Sequence, residues 1–271
     1  MNHTILEKVC RIAVETGTFQ AEQRKNFSLD SVQAKKSHDY VSYVDKESEK
    51  MIVAGLKEIL PEAGFITEEK TTEQITETTE YVWIVDPLDG TTNFIHDLGP
   101  WNVSIALQQN GELVMGVVYE VARKELFYAS KGNGAWLKTS DGATTPLHVS
   151  ATNDIDQALV AIGYPYNAEE FRELCIALSN RLYGHCASIR SLGSAETELC
   201  YVAAGRLDIY VESFLQPWDV SAGAAILKEA GGRISDYAGT DRLWKSGREV
   251  LATNALLHEE MRTHLSSSTP L

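Results

Sequence analysis

YVWIVDPLDGTTNFIHDLGPWNVSIAL, running from Tyr81 to Leu107, is the stretch from which the rest of the chain is read. Tyr81 to Asp86 is an uninterrupted apolar run that ends on a carboxylate, the pattern of a buried strand. A second strand-like run starts at Asn102. Between them Asp86 and Asp89 stand three residues apart. Pro87 pushes Asp86 out of the helical region, and Gly90 permits a sharp backbone turn after Asp89. If a short helix begins at Thr91, its first N–H groups are free to point at an anion. One loop thus offers carboxylates to a hard cation and backbone donors to a phosphate.

Taken alone, Asp-Pro-x-Asp-Gly is most often just a turn. A haloacid-dehalogenase-type loop would place its second aspartate two residues from the first, and the spacing here is three. Carboxylates next to phosphate donors suit Mg²⁺, which is held by one or two carboxylates plus substrate phosphate oxygens. The seven histidines and four cysteines show no ligand spacing, which argues against zinc.

Composition narrows the class. The 271 residues suffice for one large domain or two smaller ones. The formal net charge of −14 disfavours nucleic acid as the main partner, though not a phosphate ester reached through cations. Cys10, Cys175, Cys186 and Cys200 form no CxxC pair and read as reduced, mostly buried thiols of a cytoplasmic protein. MNHTILEKVC lacks the basic and apolar regions of a signal peptide, and no apolar run approaches the roughly 18 residues that span a membrane.

Ile5, Leu6, Val9, Ile12, Ala13, Thr16 and Phe19 predict an amphipathic first helix. HDYVSYVDKESEKMIVAGLKEIL reads as a short strand and a second helix with Asp45 at its N-cap. GFITEEK is a short strand leading into Glu68 and Glu69, and Thr71 to Thr79 reads as an exposed connection or flap. Asn110-Gly111 between two apolar runs is a strong hairpin signal. Residues 1–145 therefore read as an α+β half, with two helices and an antiparallel sheet. From 146 to 271 strands and helices alternate in α/β order. There Asp219 reads as the N-cap of an Ala-rich helix that stops at Gly231 and Gly232.

With these pieces in place, the chain resembles the inositol monophosphatases, members of a Mg²⁺-dependent, lithium-sensitive sugar-phosphatase superfamily. The resemblance rests on WIVDPLDGTTNF, on ITEEK and VDKESEK upstream, and on IRSLGSAETELCYVAAGRLDIYVE and PWDVSAGAAILKEAGG downstream, in the family's order. It implies an αβαβα layered sandwich of the inositol monophosphatase and fructose-1,6-bisphosphatase type, usually a homodimer. It implies a phosphomonoesterase that uses a metal-activated water in an in-line attack. Glu68, Asp86 and the Leu88 carbonyl match ligands of a first Mg²⁺, and Asp86, Asp89 and Asp219 those of a second. Glu68 also matches a water-mediated ligand of a third. Asp45 and Thr91 match the pair that orients the water, and Gly90 and Thr91 the phosphate donors. Gly193, Ser194, Ala195 and Glu212 match the segment that contacts the polyol. Thr-Thr-Asn-Phe after Asp-Gly leans toward inositol monophosphate. Fructose 1,6-bisphosphate, histidinol phosphate, a nucleotide 3′-phosphate and a non-catalytic regulatory binding role are the alternatives. Trp101 is expected at the substrate mouth and Glu196 on the helix surface, since unpaired glutamates are rarely buried. Lys35 and Lys36 lie near a position where relatives carry an active-site lysine.

Overall fold

The computed structural model describes residues 3–28, 32–36, 39–75, 79–241 and 249–266. Helices α1 (His3–Arg24) and α2 (Tyr43–Ile59) flank a two-stranded ribbon, β1 (Gln33–Lys36) and β2 (Asp39–Val41). A seven-stranded sheet follows, in the order of the chain: β3 (Gly64–Thr67), β4 (Tyr81–Asp89), β5 (Asn102–Gln109), β6 (Glu112–Glu120), β7 (Glu125–Ser130), β8 (Ala135–Lys138) and β9 (Thr144–Pro146). Only the β3–β4 pairing is parallel; the rest is an antiparallel meander. Asn110 and Gly111 take φ of 50° and 81° in the β5–β6 turn, the left-handed pair that a two-residue hairpin requires.

The second sheet has the order β11 (Ser188–Arg190), β10 (Leu159–Ile162), β12 (Ile209–Ser213), β14 (Glu249–Thr253), β13 (Arg233–Ser235). Its first three strands are parallel, and β14 runs against both its neighbours. Helices α4 (Ala168–Leu182) and α7 (His258–Ser266) cover its outer face. Helices α5 (Ala195–Ala203) and α6 (Ser221–Glu229) lie between the two sheets.

The uninterrupted apolar run of β4 now has a cause. Both of its faces are covered, so there is no wet side to encode. Trp83 and Val85 face α1 and α2, packing with Val9, Ile52 and Leu56. Val82 and Ile84 face α5 and α6, packing with Leu199 and Ile226. Those helices touch the second sheet through Tyr210 and Val250, while Ile209 and Val211 look outward to Leu178 and Met261. The layers alternate helix, sheet, helix, sheet, helix. Among the described residues no helix is long and apolar enough to cross a membrane.

Several expectations are corrected. Asp45 is not the N-cap of α2; Ser42 is, with Asp45 as its capping-box partner three residues in. Asp219 does not cap α6 but ends a 3-10 turn, Pro217–Asp219, just before that helix. Trp101 does not line a mouth; it is 6% exposed and packs edge-on against Phe94. Of the four unpaired cysteines only Cys200 is buried. The supposed flap is tied down where it is described: Thr71 donates to Glu49, and the Ile75 amide donates to the Phe65 carbonyl. Residues 76–78 and the Lys35 and Lys36 side chains lie outside the described residues.

Candidate metal and phosphate site

The site begins at an irregularity in the sheet. Asp86 pairs with Ser104 and Asp89 with Asn102, so three steps along β4 oppose two along β5. Such a bulge re-aims side chains, and here it lets both aspartates leave one strand end. Gly90 then takes φ of 88°, and a Cβ there would lie 2.9 Å from the Pro100 carbonyl oxygen. Only glycine fits both constraints. The short helix α3 (Thr91–Ile95) starts directly after it.

Asp86 is 2% exposed, and its Oδ1 accepts from the Leu88 amide at 2.9 Å. Burial pushes its carboxyl well above the usual carboxylate range, helped by the charges of Glu68, Asp89 and Asp219. Asp89 Oδ2 accepts from Asn102 Nδ2 (2.7 Å), Ser194 Oγ (2.8 Å) and the Glu196 amide (3.0 Å). Burial raises its pKa too, opposed by the Ser194 and Asn102 bonds. Asp219 Oδ2 accepts from the Gln216 amide at 2.6 Å. Its carboxyl is raised well above normal by desolvation, then by Glu68, Asp89 and Glu212.

Asp45 accepts from the Ser42 amide and hydroxyl through Oδ2 and from Thr91 Oγ1 through Oδ1, at 3.1 Å. Thr91 Oγ1 is also 3.1 Å from the Leu88 carbonyl oxygen. The acids of β4 and the 3-10 turn, with Glu68 after β3, thus act on one another although over a hundred residues separate Asp86 from Asp219, and Asp45 is joined to the motif through Thr91.

A cleft of about 250 Å³ opens beside them. Asp89, Gly90, Gly193, Ser194, Ala195, Glu212 and Asp219 line it, with Tyr164, Tyr166 and Phe214 as an aromatic rim. The Glu212 carboxylate accepts from Tyr210 Oη. Desolvation pushes its pKa to about 7. A larger hollow of about 490 Å³, between Ile5, Tyr81, Gln109 and Lys131, has Glu112 as its single acid among the described residues, so volume alone does not mark the site.

Sequence reading missed three supports. Gln20 of α1, fully buried, donates to Ser48 and to the Pro87 carbonyl, holding the Asp-Pro-Leu-Asp backbone from behind. Glu49 of α2 accepts from the Glu69 and Thr71 amides and so fixes the segment after Glu68. Asn93 donates to the carbonyls of Pro100 and Leu192, tying the motif to the loop before α5. Glu196 contradicts its surface expectation, being 0% exposed. The only available signal was its place beside Gly193-Ser194-Ala195.

The donor set is all oxygen, and the charges that act on Asp86 are carboxylates, an arrangement that suits a hard divalent cation. Among the described residues no three acids already close around a common point, so ion binding would draw side-chain oxygens together.

A pH dependence follows. Carboxyls whose pKa is raised by folding stabilise the folded state below their unfolded values near 4 and lose that contribution as pH rises through the folded values. The metal-free protein is therefore expected to melt lower at about pH 8 than at about pH 5.5, with Glu212 titrating near 7. Mg²⁺ should restore most of the loss. Thermal melts with chelator and with Mg²⁺ check this; a metal-free melting point that rises steadily to pH 8 would show that the acids are not under charge stress.

The chain is similar to known proteins along its length. The model of the inositol monophosphatase family matches residues 2–269. The protein named Nus factor SuhB from Escherichia coli is 38% identical over 251 residues, 92% of this chain and 91% of that protein. The crystal structure of extragenic suppressor protein suhB from Bartonella henselae superposes with a TM-score of 0.89 at 32% identity, covering 98% of this chain and all of that one. The inositol monophosphatase from Anabaena (Nostoc) gives 0.85 at 31% identity, covering 99% and 97%. The family model over nearly the whole length, with these relatives, places this chain in the inositol monophosphatase family.

Proposed function

We propose that this chain is a Mg²⁺-dependent phosphomonoesterase that hydrolyses inositol monophosphate. The observation that carries the reading is the mutual charge stress of Glu68, Asp86, Asp89 and Asp219 beside a cleft that Gly90 enters. Acids that act on one another in this way repel unless cations bind. Glu68, Asp86 and the Leu88 carbonyl would hold one ion, and Asp86, Asp89 and Asp219 a second, with Glu68 reaching a third through water. Such ions supply charge stabilisation at the phosphate and a more acidic water.

The chain's own residues do the rest. Gly90 and Thr91 present backbone N–H groups to the phosphate at the start of α3, where no intrahelical partner exists. The Thr91 hydroxyl has its proton directed at Asp45 or Leu88. Its lone pairs are then free to accept from the attacking water and fix its direction. Gly193, Ser194, Ala195 and Glu212 border the cleft where the alcohol part would sit, and Glu212 can accept from its hydroxyls.

Phosphate release over a panel of inositol, sugar, histidinol and nucleotide phosphates, with and without Mg²⁺, tests this. Preference for a nucleotide phosphate or a sugar bisphosphate over inositol 1-phosphate would replace the substrate and keep the chemistry. The name Nus factor carried by the Escherichia coli relative motivates a second reading, a protein that keeps the fold and acts through a protein partner. No turnover on any phosphate, with a partner recovered by pull-down, would favour it. The same preparation, by sedimentation, tests our proposal that the protein is a homodimer.

A further inference from the structure

Glu196 is a fully buried acid that the proposed chemistry does not use. Its carboxylate accepts from Ser104 Oγ at 2.9 Å, from the Ala222 amide at 3.0 Å and from the Gly223 amide. Its own backbone N–H donates to Asp89 Oδ2 at 3.0 Å. These partners lie on three different elements. Ser104 sits on β5 directly opposite Asp86. Ala222 and Gly223 form the first turn of α6, three and four residues after Asp219. The approach is close enough that a Cβ on Gly223 would lie 2.5 Å from Glu196 Oε2.

Helix N-terminal amides and the helix dipole favour a negative group at this point. Yet a buried carboxylate without a cationic partner is costly, and an uncharged residue would fill the space at less expense. What the carboxylate adds is connection. Asp86 and Asp89 share β4, while Asp219 lies over a hundred residues on. The Glu196 carboxylate is bonded to Ser104, the cross-strand partner of Asp86, and to the first turn of α6 just after Asp219, and its backbone N–H is bonded to Asp89.

We propose that Glu196 is a positioning residue, which sets the separation of Asp86, Asp89 and Asp219 and thereby the affinity of the site for Mg²⁺. The inference rests on the metal-dependent reading above. Groups that orient metal ligands change metal affinity or activity by about 10- to 100-fold when removed. Loss of a plain helix cap would instead lower the melting temperature and leave the affinity of the folded protein alone.

The test is Mg²⁺ alone, titrated by calorimetry into the full-length wild type, Glu196→Gln, Ser104→Ala and Glu229→Gln, each well below its melting temperature. Glu196→Gln keeps the volume but must turn an NH₂ toward a backbone donor. Ser104→Ala keeps Glu196 and removes one of its donors, so it serves if the first variant does not fold. Glu229 accepts from the Gly132 and Gly134 amides at the far end of α6 and controls for a carboxylate with a purely local role. The expected result is a Kd for Mg²⁺ raised about tenfold or more in Glu196→Gln, a smaller rise in Ser104→Ala and none in Glu229→Gln. Phosphate release should follow, with the Mg²⁺ requirement moved upward. Glu196→Gln binding Mg²⁺ as tightly as wild type overturns the proposal and leaves the metal-dependent reading standing. Wild type that binds no Mg²⁺ overturns both.

Discussion

Asp89→Asn is expected to lower phosphate release by about a hundredfold to a thousandfold at saturating Mg²⁺, the scale on which one transition-state contact is lost. The fold should survive the change. The Asn amide oxygen can occupy the place of Oδ2 and accept from Asn102, Ser194 and the Glu196 amide as the carboxylate does. The amide nitrogen then takes the other position, where it can donate but cannot ligate a cation. What disappears is one formal charge and one oxygen ligand. Circular dichroism should match wild type, so a fall in turnover reads out chemistry rather than unfolding. Near-normal turnover in a well-folded variant would remove Asp89 from the metal site.

Asp219→Asn has an opposite-looking signature. Its Oδ2 accepts from the Gln216 amide at 2.6 Å, a bond an Asn oxygen accepts equally well, so the 3-10 turn should hold. Removing a charge from the group of acids relieves repulsion. The metal-free variant is therefore expected to melt at the same temperature as wild type or higher. Binding to the folded state stabilises by mass action, about 2.7 kcal/mol at a hundredfold excess over Kd. A tenfold weaker site would give about 1.4 kcal/mol at the same Mg²⁺ concentration. The Mg²⁺-induced rise in melting temperature should shrink accordingly, and turnover should fall with it. Paired melts with and without Mg²⁺, beside a phosphate assay, separate the outcomes. A variant that melts lower without metal yet keeps full Mg²⁺-dependent turnover would show that Asp219 serves only its turn.

How much of this was legible depended on how far each signal reaches along the chain. The buried run of β4, the Asp-Pro-x-Asp-Gly turn and the Asn-Gly hairpin are local, and each folds as its residues direct. The alternation after residue 146 likewise states its α/β order outright. The local reading of Asp219 missed for a reason of its own: a carboxylate just ahead of an Ala-rich helix looks like a cap, but Asp219 closes a 3-10 turn of its own and Val220 takes the cap position. Glu196, Glu49 and Gln20 were misjudged or missed for one reason. In a sequence a glutamate or glutamine on a helix looks like a solvated face. These three are buried because their acceptors or donors, Gly223, Thr71 and Pro87, arrive from elements many residues away. Trp101 failed in the other direction, since an aromatic residue beside a motif looks like a binding wall until Phe94 closes over it.

The pair α5 and α6, shared by both sheets, has a consequence for how the polypeptide can be divided. All strands of the first sheet precede residue 147 and all strands of the second follow residue 158, so a cut in the exposed connection at 151–154 severs the two sheets cleanly. Yet the apolar side of β4 made by Val82 and Ile84 packs against α5 and α6, which lie beyond the cut. The N-terminal fragment would carry Asp86 and Asp89 on a sheet with one face bare, and the C-terminal fragment would carry Asp219 just ahead of a helix that has lost its partner sheet. Neither piece is expected to be well folded or active alone, while the two expressed together should reassemble around that common apolar surface. Phosphate release would then serve as a reporter of fragment complementation.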